Sequence, residues 1–150
     1  MKTLHHEIEI DAPPEQVWSV LLDFDRYPEW NPFVTELRGT PGVGERLRVR
    51  LAPPGGRGIT LKPRVTEVTP ARAFEWLGRL LVPGLFDGRH RFELAPTTAG
   101  TRFTQHETFT GALVPLLARS LDEHTLAGFE AMNTALAARL EHLAAIPSGG

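Results

Sequence analysis

Six histidines, eighteen acidic side chains and no cysteine bound the chemistry open to this 150-residue chain. Without thiols there is no disulfide, thiolate zinc site or cysteine nucleophile. Histidine is the next candidate for metal ligation or proton transfer, but its spacing is poor for a metal. His5 and His6 are adjacent in "TLHHEIEI", where alternation predicts a strand that points them to opposite faces. His106 and Glu107 are strand neighbours of the same kind. His124 falls on a helical stretch, no two histidines stand four apart there, and no HExxH pattern occurs. No metal and no cofactor are therefore expected. Ser19 and Ser120 lie in helical segments and Ser148 in the tail, none in a GxSxG elbow. The glycines of "PPGGRG" lack the GK[ST] ending and following helix of a phosphate loop, and read as turn glycines.

His90 and Glu107 remain. "RHRFELA" and "TRFTQHETFT" flank the turn "PTTAG", and both alternate. Setting Leu94 opposite Phe103 puts apolar against apolar, and the period of two then pairs Phe92 with Gln105 and His90 with Glu107. A shift of one residue would turn Phe103 and Phe109 outward and bury Arg102 and His106. A polar pair among apolar neighbours is costly unless its members bond each other, a ligand or water. The pair either fixes the hairpin or touches a ligand, and in an enzyme it would supply acid and base.

The positioning elements follow from periodicity. "TLHHEIEI" places Leu4, His6, Ile8 and Ile10 on one face, a half-buried strand. "DAPPEQVWSVLLDF" starts with prolines suited to a first helical turn and carries an apolar stripe of Val17, Trp18, Val20, Leu21 and Phe24. Pro28 and Pro32 confine "YPEWNPF" to a short helix or turn. Six strands with short loops follow over residues 33–110, favouring an antiparallel meander. From about residue 112 the period is helical: Leu117, Leu121, Thr125, Phe129, Met132, Leu136, Leu140 and Leu143 form one stripe. Asp122, Glu123, Glu130, Asn133, Arg139 and Glu141 read as mostly off it, and a disturbance is expected at Gly128. The reading is α+β: strand, two short helices, six strands and a long helix covering the sheet. One domain spans residues 1–143, and 144–150 form a flexible tail.

"YPEWNPF" concentrates aromatics in a chain with one Tyr and three Trp. The reading favoured is a structural clasp, with Tyr27, Trp30 and Phe33 packing with Trp18 near the long helix. The site lies elsewhere. Facing the long helix, the strands offer Phe74, Trp76 and Gly78, then His90, Phe92 and Leu94, then Phe103, Gln105, Glu107 and Phe109. Earlier strands add Leu47, Val49, Leu51, Ile59, Leu61 and Val65. The helix offers Leu117, Leu121, Thr125, Phe129 and Met132. An apolar cavity with a few polar groups is the usual small-molecule site, and a filled core is the alternative.

Hydrophobic content of 41% with 23% charged suits a globular chain, and a net charge of −2 with scattered basic residues does not suit a nucleic acid partner. "MKTLHHEIEI" has no apolar core of a signal peptide, and no apolar run reaches membrane-spanning length. A cytoplasmic protein is expected.

"IDAPPEQVWSVLLDFDRYPEWNPF", "GLFDGRHRFEL", "GTRFTQHETFTGALVPLL" and "GFEAMNTALAARLE" resemble the START-like, helix-grip (SRPBCC) superfamily, in its bacterial polyketide cyclase/dehydrase and lipid-transport branch. The resemblance covers residues 4–143. It implies a seven-stranded antiparallel sheet wrapped around the C-terminal helix, the two short helices as a V at one end, and a pocket between sheet and helix. The function it implies is a carrier for a hydrophobic small molecule such as a lipid, polyketide, isoprenoid or aromatic metabolite. The alternatives are a polyketide cyclase or dehydratase using His90 and Glu107, and an assembly factor acting through its surface. "VPGLFDG" (82–88) and "PPGGRG" (53–58) are expected as a mobile entrance.

Overall fold

A computed structural model describes residues 1–80 and 82–146. Residues 147–150 of the expected tail, Ser148 among them, lie outside the described residues, as do the side chains of Ser120 and Leu121. Strand β1 (Lys2–Ile10) shows the alternation its sequence predicts: Leu4 and Ile10 are buried, while His5, Glu7 and Glu9 are exposed. Helix α1 (Pro14–Leu22) has proline in its first turn, where the missing N–H costs nothing, and buries Val17 and Leu21. A 3-10 turn (Phe24–Arg26) leads into α2 (Tyr27–Trp30). Strands β2 (Val34–Arg38), β3 (Arg48–Leu51), β4 (Ile59–Leu61), β5 (Arg64–Thr69), β6 (Ala73–Leu80), β7 (Phe86–Pro96) and β8 (Thr101–Thr110) follow. Helix α3 (Val114–Ala145) comes last and runs past residue 143, where the tail was expected to begin.

The strands form two sheets, one ordered β1-β8-β7-β6-β5 and one β2-β3-β4, in place of the single seven-stranded sheet expected. The cause is Pro63. "ITLKPRVTEV" reads as one strand, but proline has no N–H for the ladder and restricts the residue before it. The ladder with β3 ends at Leu61, and β5 starts at Arg64 against Leu77. The sheets stay joined by residues 44–47, whose backbone bonds across the break: Leu47 N–H to the Pro63 carbonyl (2.8 Å) and Val65 N–H to the Glu45 carbonyl (2.9 Å).

The core lies between the inner sheet face and α3, with Phe74, Phe92 and Phe103 on one side and Phe129, Met132 and Leu136 on the other. "YPEWNPF" is a clasp on this core. Tyr27 is buried, donates to the Leu21 carbonyl (2.5 Å) and packs edge-on to Trp30 at 5.1 Å. Burial, with the charge of Asp23, pushes its phenol far above the usual range. Asn31 Oδ1 accepts the backbone N–H groups of Phe33 (3.0 Å) and Val34 (2.8 Å), fixing the turn into β2. Phe33 then meets Phe129 edge-on at 6.1 Å. Its ring lies so close to Gly128 that a Cβ there would stand 2.4 Å from it. Gly128 therefore does not disturb α3, which is continuous. It is the dent that receives Phe33.

Candidate functional site

The β7–β8 ladder has the predicted register: Leu94 opposite Phe103, Phe92 opposite Gln105, His90 opposite Glu107. His90 is buried among Trp76, Phe92 and Phe129, with ring centroids at 5.0, 4.4 and 5.3 Å. Its Nδ1 stands 2.9 Å from Glu107 Oε2. That approach is close but not aligned as a hydrogen bond, and Oε2, itself buried, has no hydrogen-bond partner among the described residues. Gly88 makes room for the carboxylate. A Cβ there would lie 2.7 Å from Glu107 Oε1, so any larger residue in β7 would push the carboxylate away.

From His90 a chain of polar groups crosses the interior. His90 Nε2 lies 2.9 Å from Gln105 Oε1, Gln105 Nε2 donates to Asn133 Oδ1 (2.7 Å), and Asn133 Nδ2 donates to His6 Nδ1 (2.9 Å) and to the His6 carbonyl (3.2 Å). Gln105 and Asn133 are fully buried. Asn133 was read as off the helix stripe, and the structure corrects this. It stands four residues after Phe129 and three before Leu136, so the helical period places it on the buried face despite its polarity.

The other predicted residues divide into two sets. Phe74, Trp76, Phe92, Phe103 and Phe129 are at most 2% exposed, and Phe109 is buried against Phe86 at 5.6 Å. With His90, Gln105 and Glu107 they form one aromatic-lined interior. Toward the other end the apolar residues are less covered. Leu51, Leu61, Leu113 and Thr125 are half-buried, Ile59 is 36% exposed, and Leu117 at 40% is not brought in against the aromatics. The side chain of Leu121 lies outside the described residues. This end is bounded by β4, the 53–58 loop and the first half of α3, with Gly56 at 3.3 Å from His124 as a Cβ position. The 82–88 segment carries more anchors than its Gly and Pro content predicts. Gly84 and Leu85 accept N–H groups of Ala112 (3.2 Å) and Leu113 (3.0 Å), and Phe86 is buried.

Two surface clefts lie apart from these residues. One of about 350 Å³ runs between α1 and α3, beside Ser19, Trp30, Arg139 and Leu143. The other, about 560 Å³, is on the outer sheet face, beside His5, Glu67, Arg91 and His106. There the hydrogen bond from Arg91, with one from Thr69, holds the Glu67 carboxyl below the usual range. Burial pushes Glu75 up, but hydrogen bonds from Arg89, Thr66 and Arg91 together outweigh it and leave its carboxyl lowered. Among the described residues no cluster of three or more His, Asp or Glu is placed to hold a metal ion, and no helix is long and apolar enough to cross a membrane.

Two antiparallel sheets packed with one long C-terminal helix over an aromatic interior are consistent with the helix-grip class. The chain matches the polyketide cyclase/dehydrase and lipid transport family over residues 1–145 and belongs to it. Solved structures with this fold include protein Ms6760 from Mycobacterium smegmatis, 21% identical, TM-score 0.74, covering 92% of this chain and 90% of that one. Protein NE0264 from Nitrosomonas europaea is 22% identical, TM-score 0.73, covering 95% and 96%. The di-domain ARO/CYC StfQ from the steffimycin biosynthetic pathway is 15% identical, TM-score 0.65, covering 93% of this chain and 51% of that one. At these identities the likeness establishes the fold. No curated protein matches this chain.

Proposed function

We propose that the protein binds and carries a hydrophobic small molecule, such as a lipid, polyketide, isoprenoid or aromatic metabolite, held between sheet and α3. One observation carries the reading: the aromatic interior is closed at the clasp but continues toward incompletely covered apolar residues, Leu51, Ile59 and Leu61 on the sheet side and Leu113 at the start of α3. Uncovered apolar surface beside a packed core marks a binding region. Membership of a lipid-transport and cyclase family supports the same reading.

Trp76 reports on it, being buried in contact with Phe74, His90 and Phe92. With Trp18 and Trp30 replaced by Phe, titration with an apolar probe such as propylbenzene is expected to change Trp76 fluorescence saturably. Native mass spectrometry of freshly purified protein should show a copurifying small molecule. A folded single-Trp protein that gives no change, together with a bare mass, would sink the carrier reading. The 2.9 Å approach of His90 and Glu107 favours a second reading, acid–base catalysis on a polyketide-like substrate. Turnover lost in Glu107→Gln while binding persists would separate the two.

A further inference from the structure

We propose that the interior selects ligands carrying a hydroxyl or N–H group, and that Glu107 Oε2 receives that donor. The inference rests on the carrier reading and deepens it. Its basis is the donor and acceptor inventory along the polar chain. The backbone carbonyl of His6 can only accept, so the Asn133 atom 3.2 Å from it is the amide nitrogen. That orientation leaves Asn133 Oδ1 to accept from Gln105 Nε2. Gln105 Oε1 is then the atom facing His90, and since an amide oxygen only accepts, His90 Nε2 carries the proton. Both N–H groups of Asn133, one of Gln105 and His90 Nε2–H are thus committed. At the end of the chain, Glu107 Oε2 is buried, faces Nδ1 off the hydrogen-bonding direction and has no aligned partner among the described residues.

The unmet need there is a donor, because an ionised carboxylate can only accept. Water can supply it in the empty protein. A ligand that displaces the water must supply one too, and a ligand offering only ether or carbonyl oxygen would set acceptor against acceptor. The surroundings limit the ligand further. Gly88 leaves the carboxylate lying along β7, and the aromatic rings of Trp76, Phe92 and Phe129 around His90 favour an apolar body behind the donor. The ligand class is an alcohol, phenol or amine N–H on a hydrophobic frame.

Calorimetric titration of the full chain with 4-propylphenol, 4-propylanisole and propylbenzene at neutral pH tests this, since the three share a frame and differ at one group. The phenol is expected to bind at least about tenfold more tightly than either relative, the scale of a hydrogen bond to a charged group. In Glu107→Ala that preference should shrink to about twofold or less, with propylbenzene affinity kept. Glu107→Gln, nearly isosteric and without the charge, should also reduce the preference and serves if the alanine variant does not fold. Equal affinities in the natural protein, or a preference that survives both substitutions, would overturn the inference and leave the carrier reading intact. No binding of any of the three would count against the carrier reading itself.

Discussion

His90 Nδ1 and Glu107 Oε2 stand 2.9 Å apart inside the protein, and each group has lost water to be there. His90 meets that cost partly through Gln105, while Glu107 meets little of it within the protein. Removing either partner should destabilise the fold by about 1–3 kcal/mol, and the pair together by less than the sum. Denaturant unfolding of His90→Phe, Glu107→Leu and the double variant measures the coupling. Strictly additive losses would mean that the contact contributes nothing. The pair was legible in the sequence because strand periodicity leaves two choices of face, and one of them exposes Phe103 and Phe109. Asn133 was not, because an amide on a long helix is ordinarily solvated, and only the partners Gln105 and His6 show why this one is buried.

At the scale of elements, two small residues decide where regular structure stops and where it does not. Pro63 divides one predicted strand into two and the sheet with it. That divides the count of strands but not their order, which periodicity and loop length had already set. Gly128 looked like a helix disturbance because glycine is a poor helix former. What lies against it is a ring from another element, and no single-chain pattern shows that. The two effects can be weighed. Alanine at an ordinary helical glycine stabilises by about 1 kcal/mol. Here its Cβ would meet the Phe33 ring at 2.4 Å, and overpacking of a core costs about 1–3 kcal/mol. Gly128→Ala alone should therefore lower the melting temperature. In a Phe33→Leu background, which removes the ring, the same substitution should be neutral or stabilising. If Gly128→Ala stabilises the natural protein, the dent has been misassigned.

Taken whole, the molecule has a fastened end and a looser end. At the first, Tyr27, Asn31 and Phe33 fix α2 and the start of β2 against α3, and Arg139 reaches from α3 to Glu29 at 3.0 Å. At the second, β4 is a three-residue edge strand, and the 53–58 loop before it has one backbone hydrogen bond of its own among those described, Gly56 N–H to the Pro53 carbonyl. The sequence suggested two loops as a matched entrance, since both are rich in Gly and Pro. Composition could not show that 82–88 is bound to the start of α3 through Ala112 and Leu113. Opening should therefore be one-sided. In hydrogen exchange, peptides covering residues 52–61 are expected to exchange fast, while those covering 84–96 and 101–113 stay protected, because edge strands and sparsely bonded loops open at low free energy. Adding 4-propylphenol at saturation should slow exchange in 52–61 and leave the Phe33–Gly128 region unchanged. Equal, fast exchange at 53–58 and 82–88 would restore the two-loop entrance. Protection that rises only at the clasp would place the ligand at the wrong end of the molecule for Glu107 to receive it.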